Sequence, residues 1–189
     1  MLTDLLIPTL THHLAALRGW LDKAEAHATD QGTDPAALLA ARLAPDMFPL
    51  HSQLRFACYL SREAVIRLRG EEVPEAVTAL RTHGATRTDD PGTLAEHRAN
   101  VDEALAFVAA VETGALDAAA DRPLAHVLPM GMVFDMTGLT FVRDWASPQV
   151  GFHVDMAYAL LRAAGVPLGK RDYVPHMFGY LRPGTMPGA

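Results

Sequence analysis

The sequence predicts an all-α fold, an antiparallel four-helix bundle, and three observations carry that prediction. Apolar residues recur at helical spacing from Ile7 to Ala28, from Leu50 to Leu68 and from Leu94 to Val111, the pattern of helices packed lengthwise against other helices. Helix punctuation brackets these stretches: Asp34-Pro35, Asp90-Pro91 and Ser147-Pro148 open helices, whereas Gly70 and Gly165-Val166-Pro167 close them. Only one segment, Leu124 to Thr140, lacks a helical period while being rich in Val, Met, Phe and Thr, which points to a small irregular or hairpin segment before the last helix.

The first helix is marked by the seam Ile7, Leu10, Leu14, Leu17, Leu21, Ala24 and Ala28, with His13 and Trp20 flanking the buried stripe. A loop at Thr29 to Thr33 follows, and Asp34-Pro35 starts a short extra helix to Leu43. The second long helix runs from Pro49 to Arg69 with Leu50, Leu54, Ala57, Cys58, Val65 and Leu68 on its apolar side. From Glu71 to Asp90 the chain is polar with one short periodic piece around Val77 and Leu80, a long connection with room for a short helix; this length suits a crossing between bundle helices that run the same way. Asp90-Pro91 caps the third long helix, with the stripe Leu94, Val101, Leu105, Val108 and Val111. The fourth helix either starts at Thr137-Gly138 and kinks at Pro148 or starts at Ser147-Pro148, and it ends at Gly165 in the left-handed conformation. Residues 1–174 are thus expected to form one helical-bundle domain and 175–189 an extended C-terminal tail, rich in proline and glycine.

Composition limits the function classes. A chain of 189 residues, half of them hydrophobic, supports a single domain with a full core. The net charge of -6 is spread along the chain without a dense Lys/Arg cluster, which argues against a nucleic-acid partner. No apolar run approaches the ~20 residues of a membrane span, and no basic leader precedes an apolar stretch. One cysteine, Cys58, rules out an internal disulfide and reads as a buried inert thiol. A cytoplasmic protein is expected.

Two histidines stand out. His51 lies three residues before Leu54 and seven before Cys58, on or beside the inward face of its helix, and His153 sits on the fourth helix. Helix rise gives a condition for their meeting: a fourth helix that starts near Thr137 carries His153 about 24 Å along, level with the beginning of an antiparallel second helix. The plain alternative is a hydrogen-bonded polar network completed by Gln149, Asp155 and Tyr158. Asp155, two residues from His153, points away from it on a helix.

The closing helix, with His153, Ala159-Leu160-Leu161-Arg162 and Gly165-Val166-Pro167, resembles that of the DinB-like superfamily of bacterial four-helix bundles. The stretches Leu43 to Leu50, Phe152-His153, Ala157 to Ala159 and Leu168 to Tyr173 resemble an uncharacterised branch of it, a bacterial domain of unknown function. The resemblance covers nearly the whole chain. It implies a divalent metal, zinc or nickel, on one histidine of the second helix and two, four residues apart, on the fourth. His51 and His153 match two of these positions, and the third falls at Gln149, where an amide replaces imidazole and leaves a degenerate, weakly binding site. His13 or His97 would have to be recruited to complete three imidazoles. The resemblance further implies a metal-dependent small-molecule enzyme of the thiol-dependent transferase or hydrolase class. The alternative is a metal-free bundle acting as a binding or stress-related interaction protein. A small-molecule partner and a homodimer are expected, the latter anchored by aromatics such as Trp20 and Trp145.

Overall fold

Local punctuation and a few side-chain ties decide where each helix begins and ends. In the computed structural model, which describes residues 1–186, helix α1 spans Leu2–Gln31 and starts ahead of the predicted seam. It can do so because Thr3 is tied down: its N–H and hydroxyl both donate to Asp117 Oδ1 at 2.9 Å, and its hydroxyl oxygen accepts from Leu116 N–H at 3.0 Å. Pro8 lies within α1 on the exposed side, where water can satisfy the carbonyl its missing N–H leaves free. Helix α2, Pro35–Leu39, is capped as predicted by Asp34 Oδ1 on Ala36 N–H at 2.9 Å, but stops before Leu43.

Helices α3 (Leu50–Arg69), α4 (Glu75–Thr86) and α5 (Leu94–Ala109) follow. The cap of α5 is Thr93, not Asp90-Pro91. Thr93 Oγ1 accepts from Glu96 N–H at 3.2 Å while Glu96 Oε2 accepts from Thr93 N–H at 2.7 Å, a reciprocal box that satisfies two otherwise orphaned donors. A start at Asp90 would have forced Gly92, at φ 66°, into the first helical turn.

Strands β1 (Pro123–Val127) and β2 (Val133–Thr137) pair antiparallel with Ala125 opposite Asp135, so the non-helical segment is a hairpin. Thr137 then caps a short helix α6 (Gly138–Thr140), which runs through a π-helical stretch Phe141–Ala146 into α7 (Ser147–Ala163). Of the two expected starts, the continuous helical path from Thr137 is the one observed. Its wide turn lies directly before Pro148, which has no N–H to give and would crowd the carbonyl one regular turn back. Gly138 is required at the junction, since a Cβ there would stand 2.1 Å from the carbonyl oxygen of Ala119. At the far end Gly165, at φ 89°, lets Val166 N–H reach back to Leu161 O at 3.0 Å, the predicted left-handed close.

Helices α1, α3, α5 and α7 form the bundle. Around it α1 neighbours α5 and α7, α3 neighbours the same two, and α1 faces α3 across the core. Contacts fix the directions: Arg18 and Glu25 on α1 reach Asp102 and Arg98 on α5, and Gln53 on α3 meets His153 on α7 while Leu68 lies beside Gly138 at the start of the same path, so both pairs are antiparallel. His51 and Arg62 on α3 lie beside His97 and Glu103 on α5, so these two helices run the same way, as the long connection between them predicts. The core collects the predicted seams, with Leu10, Leu14, Leu17, Leu50, Ala57, Cys58, Val65, Val101 and Val108 fully buried. Cys58 is inert in this setting, its thiol pushed up to about 12 by burial.

Helix α3 is buried nearly all round because α4, in the connection, covers its outer face. Ser52 donates to the carbonyl of Gly84 on α4 at 2.7 Å. Past α7, helix α8 (Lys170–Tyr173) and a 3₁₀ turn over Pro175–Tyr180 fold back on α1, so this part of the expected extended tail is helical in character. Trp20, expected at the boundary, is 1% exposed and donates its indole N–H to Asp172 O at 2.9 Å. His176 stacks on His12 with ring centroids 3.8 Å apart. The last residues of the tail, 187–189, lie outside the described residues.

Candidate functional site

The groove between α3 and α7 is built around His153. Residues 53, 56 and 60 of α3 share the face turned to α7, and there Gln53 Oε1 stands 2.7 Å from His153 Nδ1 while the Phe56 ring lies 4.9 Å from the imidazole. The Gln53 amide is oriented by its other end, where Nε2 donates to Phe48 O at 3.2 Å. Its oxygen therefore faces the histidine and can only accept, so His153 carries its proton on Nδ1 and a lone pair on Nε2. Burial lowers His153 to about 4, leaving the ring neutral at pH 7.

His153 opens into a cavity of about 420 Å³ between α3, α4, α7 and the hairpin tip. Phe48, Phe56, Leu60, Leu128 and Met130 make its walls largely apolar, and Gln149, one helical turn before His153, lines it too. Tyr59 and Arg81 complete it. Tyr59 donates its phenol proton to buried Glu63 Oε1 at 2.7 Å, and the Arg81 guanidinium stacks 5.2 Å from the Tyr59 ring centroid. Burial is the first cause that raises the Tyr59 phenol, reinforced by the Glu63 carboxylate.

His51 is absent from that lining and faces α5 and the end of the α4–α5 connection. Its Nε2 lies 3.2 Å from Thr88 O, and a carbonyl can only accept, so Nε2 bears the proton. Nδ1 then accepts from Arg55 Nη1 at 2.8 Å. The nearest imidazole is that of His97, with ring centroids 6.4 Å apart; its Nε2 donates to Pro91 O at 2.8 Å, and its Nδ1 is buried without a partner. His13 lies elsewhere, edge-on to Tyr173 beneath the tail. Of the three residues singled out in the sequence, His153 and Gln149 thus share a cavity, and His51 is buried apart from it, on the side of α3 turned to α5.

This donor set does not fit the metal site that the resemblance implies. His51 has both ring nitrogens engaged, one of them by a cationic guanidinium that opposes a divalent ion, and the α3 residue that reaches His153 is Gln53, an amide. Among the described residues no group of three or more His, Cys, Asp or Glu side chains is placed to hold a metal. Sequence reasoning missed Gln53, Tyr59 and Arg81. The spacing 53, 56, 60 carried a signal for Gln53, because it puts an amide in line with an apolar face. Nothing in the spacing of Arg81 announced that the connection would fold against α3.

A family model described as a domain of unknown function, DUF1993, matches residues 2–174. A crystal structure of a DinB family member protein from Shewanella denitrificans is similar to this chain at 31% identity and a TM-score of 0.75, covering 100% of this chain and 95% of that one. No curated protein matches. Among the described residues no helix is long and apolar enough to cross a membrane. With the family model spanning nearly the whole helical fold and a DinB family member matching it end to end, the chain belongs to the DUF1993 family, a DinB-like domain of unknown function.

Proposed function

We propose that the protein is a metal-free, small-molecule-binding bundle whose ligand enters the α3–α7 cavity with an apolar body and a hydrogen-bond donor directed at His153 Nε2. The observation that carries this reading is the pairing of His153 Nδ1 with Gln53, which leaves a neutral imidazole lone pair in an apolar cavity of about 420 Å³. An imidazole acceptor in an apolar cavity is costly to leave unpaired once a ligand has displaced its water, so a hydroxyl or amide N–H arriving with apolar surface gains on both counts. The probe is octan-1-ol. It should bind saturably and shift the ¹⁵N resonance of His153 Nε2, and His153→Phe, which preserves ring volume, should weaken it roughly tenfold. Absence of saturable binding, or equal binding by the variant, would defeat the reading.

The metal-dependent alternative retains one supporting feature, the unengaged His153 nitrogen with Gln149 one turn away. Gln149→His creates a pair of imidazoles at i and i+4 on one helix face. Zinc added to the native protein should bind weakly, and calorimetry should show tighter uptake by this variant; equal uptake would mean that the two side chains do not converge on one ion. The expected homodimer draws its support from the outer face of the hairpin, where Met132, Val133 and Phe134 are exposed, since Trp20 is buried and Trp145 packs between His126 and Phe134.

A further inference from the structure

Arg81 is the one charged side chain lining the α3–α7 cavity, and among the described residues no carboxylate lies within 4 Å of it. Its Nη1 makes a 3.4 Å contact with the Tyr59 hydroxyl oxygen, and that hydroxyl in turn gives its proton to Glu63, so the negative charge reaches Arg81 only through the phenol. Among the described residues the remaining N–H groups of the guanidinium have no protein acceptor. We propose that the ligand of this cavity carries, besides its apolar body and the donor directed at His153 Nε2, a carboxylate that pairs with Arg81; this rests on the reading of the cavity as a small-molecule site and names the charge class that the site selects.

Three features argue for an acid over other amphipathic ligands. The guanidinium is half-buried, its central carbon 5.2 Å from the Tyr59 ring centroid and its Nη1 at the Tyr59 hydroxyl, so two contacts restrain it before a ligand arrives, and its planar fork matches a carboxylate in two-point geometry. The rest of the lining adds no competing charge: His153 is neutral, and Gln149 is an uncharged amide. An apolar chain packed against Phe56, Leu60 and Met130 would strip water from the cation, which penalises a neutral ligand that leaves it unpaired and penalises an amine most. The expected order of affinity is acid, then alcohol, then amine.

Octanoate, octan-1-ol and octylammonium share one chain and differ in headgroup, which makes them suitable probes. Calorimetry should find octanoate roughly tenfold tighter than octan-1-ol, with octylammonium weakest, and the Met130 methyl resonance should shift with each bound probe. Arg81→Met keeps an apolar stem and should bring octanoate down to the level of the alcohol or below, and octan-1-ol that still shifts the Met130 methyl establishes that the variant is folded. Arg81→Lys should retain part of the preference. If octan-1-ol binds and shifts Met130 but octanoate is no tighter, or if Arg81→Met leaves octanoate binding intact, the acid selectivity is overturned and the cavity reading survives. If no probe binds, both fall.

Discussion

Leu54→Asp is expected to abolish cooperative folding at 25 °C. Leu54 is 1% exposed, on the side of α3 that faces the bundle interior, within the cluster that joins α1, α5 and α7. Truncating such a leucine alone costs about 2–5 kcal/mol, and a carboxylate put in its place adds a charge for which the core offers no partner. The sum reaches the ~5–15 kcal/mol that holds a typical domain together. Far-ultraviolet circular dichroism should show loss of most helix signal, or a melt without a sharp transition. Arg69→Ala, at an exposed position on the same helix, should change stability by no more than about 0.5 kcal/mol and serves as the control. A Leu54→Asp protein that melts like the native one would mean that α3 turns a different face inward.

The bundle was legible because helix periodicity is a dense, redundant signal: each seam contributes several residues, and burial of Leu10, Leu14, Leu17, Leu50, Ala57, Val101 and Val108 requires only that the period be right. Boundaries were less legible. Asp90-Pro91 and Thr93 with Glu96 are both valid start signals, and the choice between them depends on the conformation of Gly92, a single backbone angle that no spacing reveals. The fourth helix posed the same problem at Thr137 and Pro148, and the chain resolved it with a π turn that keeps both signals in one path.

The candidate site was less visible still, because sites depend on which faces meet across elements distant in sequence. His51 and Gln53 are two residues apart on α3 and so point to opposite sides of the helix, His51 toward α5 and Gln53 toward α7. Matching a histidine to a family position cannot separate these two faces. Trp20 illustrates a related difficulty: its place beside the seam is correct, but the tail that covers it and accepts its N–H arrives from Asp172, a partner that the helix-one pattern does not contain.

Acid should unfold this protein in a window set by its buried histidines. His97 and His153 are each lowered from the ordinary 6.5 to about 4, in both cases first by burial. For His97, Arg55 and His51 add to the effect, while the Pro91 carbonyl and Glu96 oppose it; no charged neighbour offsets the burial of His153. A proton added to His97 would go to Nδ1, which is buried without an acceptor, and one added to His153 would go to Nε2 in the apolar cavity. Because the folded values lie below the unfolded ones, the unfolded chain binds more protons as soon as pH drops beneath 6.5. Stability is therefore intact above about pH 7, falls between pH 6.5 and 4, and loses nothing further from these two groups below that. Each histidine contributes about 3 kcal/mol to the loss, a large part of the total for an ordinary domain. Asp117, held at about 2 by the N-terminal amine and Thr3, acts in a separate, lower window: its stabilisation is present above 3.8 and is lost as pH falls toward 2. Urea denaturation at stepped pH should show this two-part decline, and His153→Phe should make the decline between pH 6.5 and 4 shallower. Unfolding free energies that stay level from pH 7 to 4.5 would mean that neither imidazole is as buried as its packing indicates.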